Sequence, residues 1–347
     1  MSTRPILRAA RRPALPPGAP GSPSPASSPT SESSRISWHA VRAIMLLLIG
    51  LPACTGGTAF AQNYHFGMNT RVLTAQMADK MTELGAGVVR LAYGWDVIEP
   101  TCKGCYNWET TDAWRDEARR THRAIFASLA YTPAWANGGH PYQYPPLNYQ
   151  DWYDFVYATV SRYRNDIYLW GVWNEPNLDG YLKGSDPRVY RSLAVMAHAA
   201  VRAANPDALV LGPDVSWHGV KDGWFAAVMN DSGDLFDIVT VHWYPDGPAL
   251  ELMMDQLVRP ASLGKSVWLT ETGMKPCFSL FGEAGQALLY QRVLGAFQAR
   301  RSWWTGVSFY DLHDVPTPRD CGGAITREDW SNRPAFLLYQ TFIKANP

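Results

Sequence analysis

Charge is scarce in this sequence. Only 18% of its 347 residues are charged, and 31 basic side chains balance 31 acidic ones. Without a basic excess there is no electrostatic footprint for nucleic acid or for an anionic membrane surface. Long hydrophobic runs are missing too. The apolar run from Ala43 to Cys54 spans 12 residues, against the roughly 20 that a membrane helix needs, so no stable membrane span is expected. The first strand–helix turn, "GMNTRVL", lacks G-x-G-x-x-G, which argues against a dinucleotide cradle and a doubly wound sheet. "YHFGMN" offers His65 alone where a metal-dependent barrel hydrolase would want H-x-H. Cysteine is sparse, five in all, and "CKGC" has no second Cys/His pair at suitable spacing to complete a zinc site. No metal or cofactor motif is found, so none is expected.

What the chain does have is apolar and aromatic. Hydrophobic residues make up 46%, with 15 Trp and 17 Tyr. That is enough for a sizeable core, and such an aromatic load also suits a groove that stacks on sugars. Residues 1–61 read as a leader outside the fold. Residues 13–34 are rich in Pro, Ser, Ala and Gly and cannot build a core. Arg42, the apolar run and Ala59-Phe60-Ala61 then make a secretory signal with an A-x-A cleavage pattern. The reading is soluble export to a periplasmic or extracellular location, favoured over a lipid anchor at Cys54. Removing the signal leaves Cys102, Cys105, Cys277 and Cys321, an even count that suggests two disulfides. Three pairings are open; Cys102–Cys105 with Cys277–Cys321 is preferred, because each pair lies in one loop or two adjacent ones.

From residue 62 the pattern alternates. Apolar strands begin at "YHFGMN", "GVVRLAY", "AIFASLAY", "IYLWGVW", "ALVLGPD", "FDIVTVHWY", "SVWLTET" and "TGVSFYDL". Helical spacing follows them, as in Leu73, Met77, Met81 and Leu84, or Trp152, Phe155, Val156 and Val160. The helix in "TTDAWRDEARRTHR" is expected to open on a Thr or Asp cap. Continuous apolar runs are what parallel strands buried on both faces require. Eight strand–helix units within residues 62–347 predict a single (β/α)8 TIM barrel.

Active sites of such barrels form at the C-terminal strand ends. Asn69 ends strand 1; Arg90, Tyr93 and Trp95 lie on or after strand 2; Tyr131 and Trp135 follow strand 3. Asn174 and Glu175 end strand 4, His242 and Tyr244 lie on strand 6, Glu271 ends strand 7 and Tyr310 strand 8. The two glutamates are three strands apart in a ring of eight, so they face each other across the mouth. One carboxyl to protonate a leaving oxygen and one to attack or to activate water is the arrangement glycoside hydrolysis needs. Pro176 restricts its predecessor to extended backbone, which would aim Glu175 inward. Asp96, Glu99, Asp179, Asp246 and Asp314 read as solvated loop charges.

"WNEPN" and "WLTETG" resemble the two signature strands of the clan A glycoside hydrolases. "AYTPAWAN", the stretch from "PPLNYQDW" to "WNEPN", and "RPAFLLY" look most like family 39 and its near relatives. The resemblance covers the barrel, about residues 62–347. It implies that Glu175 is the acid/base and Glu271 the nucleophile of a retaining double displacement. Asn174 would then bond the sugar 2-hydroxyl, Arg90 would supply charge to Glu271, and His242 and Tyr244 would line the sugar site. Asn69, Tyr131, Trp95 and Trp135 are further substrate-binding candidates. Many clan members end strand 8 with a tryptophan under the cleaved sugar; here the strand ends "SFYDLHD", and Tyr310 or Phe309 is the candidate for that place. Family 39 β-xylosidases also carry extra β-structure for which this chain has no length. The expectation therefore leans to a longer glycan substrate, such as an exopolysaccharide cut internally. A transglycosylase with the same two glutamates, or a non-catalytic glycan-binding barrel, are the alternatives. Sugar, linkage and oligomeric state are not legible.

Overall fold

Strands buried on both faces are apolar at nearly every position, and the eight apolar runs form eight strands. The computed structural model describes residues 63–314 and 322–347. Its strands are β1 (Asn63–Asn69), β2 (Ala86–Gly94), β3 (Ala124–Ala130), β4 (Leu169–Val172), β5 (Leu209–Val215), β6 (Ile238–His242), β7 (Val267–Glu271) and β8 (Trp304–Phe309). Every neighbouring pair is parallel, and β8 pairs with β1 to close the barrel in chain order. This is the expected (β/α)8 fold.

The helices cover the barrel with their apolar stripes. In Ala75–Leu84 the Thr74 side chain caps the first turn by accepting from Met77 N. Gly85 ends it at φ 87°, the left-handed conformation that a residue without Cβ adopts freely. Its buried face is Met77, Ala78, Met81 and Leu84. Helix Pro187–Ala204 is capped by Asp186 and starts on Pro187, whose missing N–H is no loss there. Its face of small residues, Ala194, Ala197, Ala200 and Ala204, is buried. Alongside it, Trp152 of helix Tyr149–Arg162 donates Nε1 to Leu193 O at 3.0 Å. The helix expected to open on Thr or Asp instead runs Glu109–Arg120 with Trp108 at its cap and no side-chain capping bond. Asp112 is drawn into pairing with Arg162, and Thr111 bonds the Tyr163 hydroxyl, so neither is available to cap.

Inside the barrel, Val88, Phe126, Leu169, Leu211, Ile238 and Trp268 form a separate apolar plug. Two glycines make room for its rings. A Cβ on Gly171 would sit 2.6 Å from the Phe126 ring, and one on Gly306 2.5 Å from the Trp268 ring. Side chains two residues apart on a strand share a face. One step of two residues above the plug, toward the C-terminal mouth, come Arg90, Ser128, Gly171, Thr240 and Thr270. The interior thus turns from apolar to polar along the same strands.

Cys102 is bonded to Cys105, the preferred pairing. Cys277 is also disulfide-bonded; its expected partner Cys321, like the leader through residue 61, lies outside the described residues. Among the described residues no helix is long and apolar enough to cross a membrane.

Candidate active site

Strand β4 stops at Val172, two residues short of Asn174. The chain then turns through Trp173 at φ 68° and Glu175 at φ 42°. Both are left-handed, so the expectation that Pro176 holds Glu175 extended is corrected. Glu175 N–H donates to Asp214 O of β5 at 3.0 Å, a bond that fixes the turn. Such a conformation costs on the order of 1–3 kcal/mol for a non-glycine residue and persists where the surroundings over-determine it.

The turn brings the two glutamates together. One oxygen of each, with a ring nitrogen of His242, lie within 4.8 Å of one another. His242 Nδ1 is 2.9 Å from Glu175 Oε1 and 3.9 Å from Glu271 Oε2. Tyr244 donates its hydroxyl to Glu271 Oε1 at 2.7 Å. Arg90 donates Nη1 to Glu271 Oε2 at 3.0 Å and to Asn69 Oδ1 at 2.9 Å. Its Nη2 reaches Asn174 Oδ1 at 2.7 Å and Asp214 Oδ2 at 2.6 Å.

Burial sharpens these charges. Arg90 and Glu175 are each 8% exposed, and Asp214 and His242 are fully buried. For Arg90, burial opposes the charge, but Asp214 and then Glu271 outweigh it and raise its pKa above the usual guanidinium value. Burial likewise works against the Asp214 carboxylate, yet Arg90 and His242 hold its pKa below the ordinary range. For His242 burial favours the neutral ring, and Glu271 and Asp214 override it, pushing its pKa up to about 10. Burial, then Glu271, keep the Tyr244 phenol protonated well above its ordinary range, so it stays a donor.

Of the expected site residues, the structure gathers Asn69, Arg90, Asn174, Glu175, His242, Tyr244 and Glu271 into one network. Asn69 serves it from behind: its Nδ2 donates to Thr270 O and Phe309 O while its Oδ1 holds Arg90. Tyr310 stands at the rim, half-buried, accepting from Arg71 at 3.2 Å. Tyr131 lines a neighbouring hollow of about 190 Å³ with Ala92, Gly94, Asp96, Val97 and Tyr142. Trp95 is corrected: it is fully buried, stacks on Phe155 and donates Nε1 to Glu99 at 2.6 Å, so it presents no face to a sugar. Trp135 packs edge-on against Trp95 at 5.6 Å and donates Nε1 to Glu99 O, which makes it loop packing. Glu99 and Asp314 are not solvated either. The first accepts from Trp95 and Gly104, and the second pairs with Arg333 at 2.7 Å. Asp214 was not anticipated as a site residue. The signal was a lone carboxylate at the C-terminal end of the fifth strand, "LGPD".

A closed (β/α)8 barrel with Asn-Glu after β4, a glutamate ending β7 and an arginine on β2 beneath them defines the clan A class of glycoside hydrolase barrels. The chain belongs to the cellulase family, glycosyl hydrolase family 5, whose sequence pattern matches residues 54–277. It is 28% identical over 164 residues to a β-xylosidase of Geobacillus stearothermophilus, a stretch covering 42% of this chain and 32% of the relative. The chain therefore spans about a third of the length of that relative. Its fold is similar to a family 39 glycoside hydrolase of the gut symbiont Bacteroides cellulosilyticus WH2 (TM-score 0.67, 19% identity, 82% of this chain and 64% of the other). It is equally similar to a family 39 β-xylosidase of Caulobacter crescentus (TM-score 0.67, 20% identity, 80% and 70%). The expected likeness to family 39 and its near relatives thus has its counterpart among solved folds.

Proposed function

We propose that this chain is a retaining glycoside hydrolase that cleaves β-type O-glycosidic bonds of a polysaccharide or oligosaccharide by double displacement. The observation that carries the reading is the separation of the glutamates. One oxygen of each lies within 4.8 Å of the other, which favours the close carboxyl spacing of retaining enzymes, about 5–5.5 Å, over the about 6.5–9.5 Å where a water must fit between them. Glu271 attacks the anomeric carbon while the bond to the leaving oxygen breaks and Glu175 gives that oxygen its proton. Water then attacks the same carbon, its proton passes to Glu175, and the Glu271 carboxylate departs. Arg90 and Tyr244 hold Glu271 in place, and His242 orients Glu175. Asn174 is anchored through Oδ1, which leaves its Nδ2 as a donor for the sugar 2-hydroxyl.

The substrate is a glycan of several units cut internally. The hollow lined by Tyr131 and Tyr142 beside the Arg90 strand offers a further sugar an aromatic wall. The named activity of the Geobacillus relative puts β-1,4-xylan first in the test panel, with mannan, glucan and bacterial exopolysaccharides beside it. The leader composition and the Cys102–Cys105 bond support export to a periplasmic or extracellular location. The test is reducing-end release from this panel by wild type and Glu271→Gln, with the first-formed anomer read by NMR. Release by wild type alone, with the β-anomer formed first, is expected. An α-anomer formed first, or full activity of Glu271→Gln, would overturn the reading.

A further inference from the structure

Asp214 is a buried carboxylate that no step of this reaction uses. It nevertheless touches Arg90, which holds Glu271, and His242, which holds Glu175. Its Oδ2 accepts from Arg90 at 2.6 Å. Its Oδ1 accepts from the Thr270 hydroxyl and stands 3.2 Å from His242 Nε2, an ion-pair contact not aligned as a hydrogen bond. Its backbone takes part as well: Asp214 N donates to Thr240 Oγ1 at 2.8 Å, and its carbonyl accepts the Glu175 N–H. We propose that Asp214 is a positioning residue whose charge keeps one proton on the Glu175–Glu271 pair. The inference rests on the reading of Glu175 as acid and Glu271 as nucleophile.

Asp214 and His242 are fully buried in this cluster, so its charges must balance one another. Arg90 and His242 supply two positive charges. Asp214 and Glu271 supply two negative ones, so the cluster is neutral when Glu175 carries its proton. The other titratable groups facing the pair are Asp311 after β8, whose carboxyl burial pushes up to about 7, and three phenols: Tyr181 after β4, Tyr244 after β6 and Tyr310 after β8. Burial raises the pKa of all three phenols, which keeps them uncharged. With Asp214 neutralised, the cluster would be positive by one as long as Glu175 is protonated. It would return to neutrality by giving up one proton from the His242–Glu175 pair, whose Nδ1 and Oε1 are 2.9 Å apart. Unbalanced charge in a low-dielectric site is what buried groups titrate to avoid. Asp214→Asn therefore depletes the general acid as pH rises, although Asp214 meets neither substrate nor reacting atom.

That consequence separates a charge-setting role from a merely structural one. A leaving group that departs as a stable anion needs no proton; an alcohol does. The experiment measures kcat/KM against pH for wild type, Asp214→Asn and Thr270→Val, with 2,4-dinitrophenyl β-xyloside and with xylotetraose. Asp214→Asn is expected to lose about 100-fold on xylotetraose and less than about 10-fold on the dinitrophenyl substrate, with the basic limb moved to lower pH. Thr270→Val, which removes one hydrogen bond to Asp214, shifts the same limb in the same direction by less and serves should Asp214→Asn not fold. Equal losses on both substrates with an unmoved basic limb would overturn the proposal. Should wild type cleave neither xyloside, the sugar choice fails and the Asp214 linkage is read without substrate. In that case NMR of ¹⁵N-histidine-labelled protein follows the His242 ring. An imidazolium that persists to higher pH in wild type than in Asp214→Asn supports the linkage, and identical titrations refute it.

Discussion

The bottom and the mouth of the barrel are built from the same strands, a few residues apart, and they obey opposite rules. At the bottom, Val88, Phe126, Leu169 and Trp268 fill space and need no partner. At the mouth, Arg90, Asp214, Glu175 and His242 are as deeply buried, but each is tolerated only because another charge faces it. The guanidinium of Arg90 even lies 5.6 Å from the Phe126 ring, so the two regions touch. The difference teaches where this fold keeps stability and where it keeps chemistry. Shape complementarity suffices below; above, removal of one charge leaves the others uncompensated.

This contrast can be broken from either side. The largest effect is expected from Glu271→Gln, which replaces the proposed nucleophilic carboxylate by a neutral amide and should lower turnover on the order of 10⁴-fold or more with little change in melting temperature. Calorimetry beside the activity assay checks both halves; a large fall in melting temperature would make Glu271 a fold residue instead. In the plug, Trp268→Ala should destabilise by about 3–5 kcal/mol while the folded fraction keeps its pH–rate profile. Gly171→Ala sets a methyl against Phe126 and should destabilise by about 1–3 kcal/mol through overpacking, read from denaturant unfolding. The last effect is one of pH. The folded-state pKa of His242, raised from 6.5 to about 10, contributes stability that is fully present below the ordinary value and lost as pH climbs through about 10. Melting temperature should fall across that window in wild type, and His242→Asn should flatten the fall.

The bottom was legible in the sequence and the mouth only partly. Parallel strands buried on both faces announce themselves as apolar runs, so "GVVRLAY" and "AIFASLAY" place β2 and β3 within a residue or two. Glu175 and Glu271 were legible because each ends such a run. Asp214 was not, because its meaning depends on Arg90, Thr270 and His242, which three other strands deliver. The left-handed turn at Glu175 overrode the local bias of Pro176 through one bond to β5, and the non-local partner is again the reason. Trp95 misled for the complementary cause. Beside a strand end it looks like a sugar platform, but Glu99 and Trp135 turn it into the core.

The central claim is the division of labour between the two glutamates, and azide rescue tests it most directly. Glu271→Gly and Glu175→Gly are each given 2,4-dinitrophenyl β-xyloside with sodium azide, and the glycosyl azide is identified by NMR. The account predicts an α-azide from Glu271→Gly, where azide replaces the nucleophile. It predicts a β-azide from Glu175→Gly, where azide attacks the glycosyl-enzyme. Swapped products, or no rescue of either variant while wild type turns the substrate over, would contradict it.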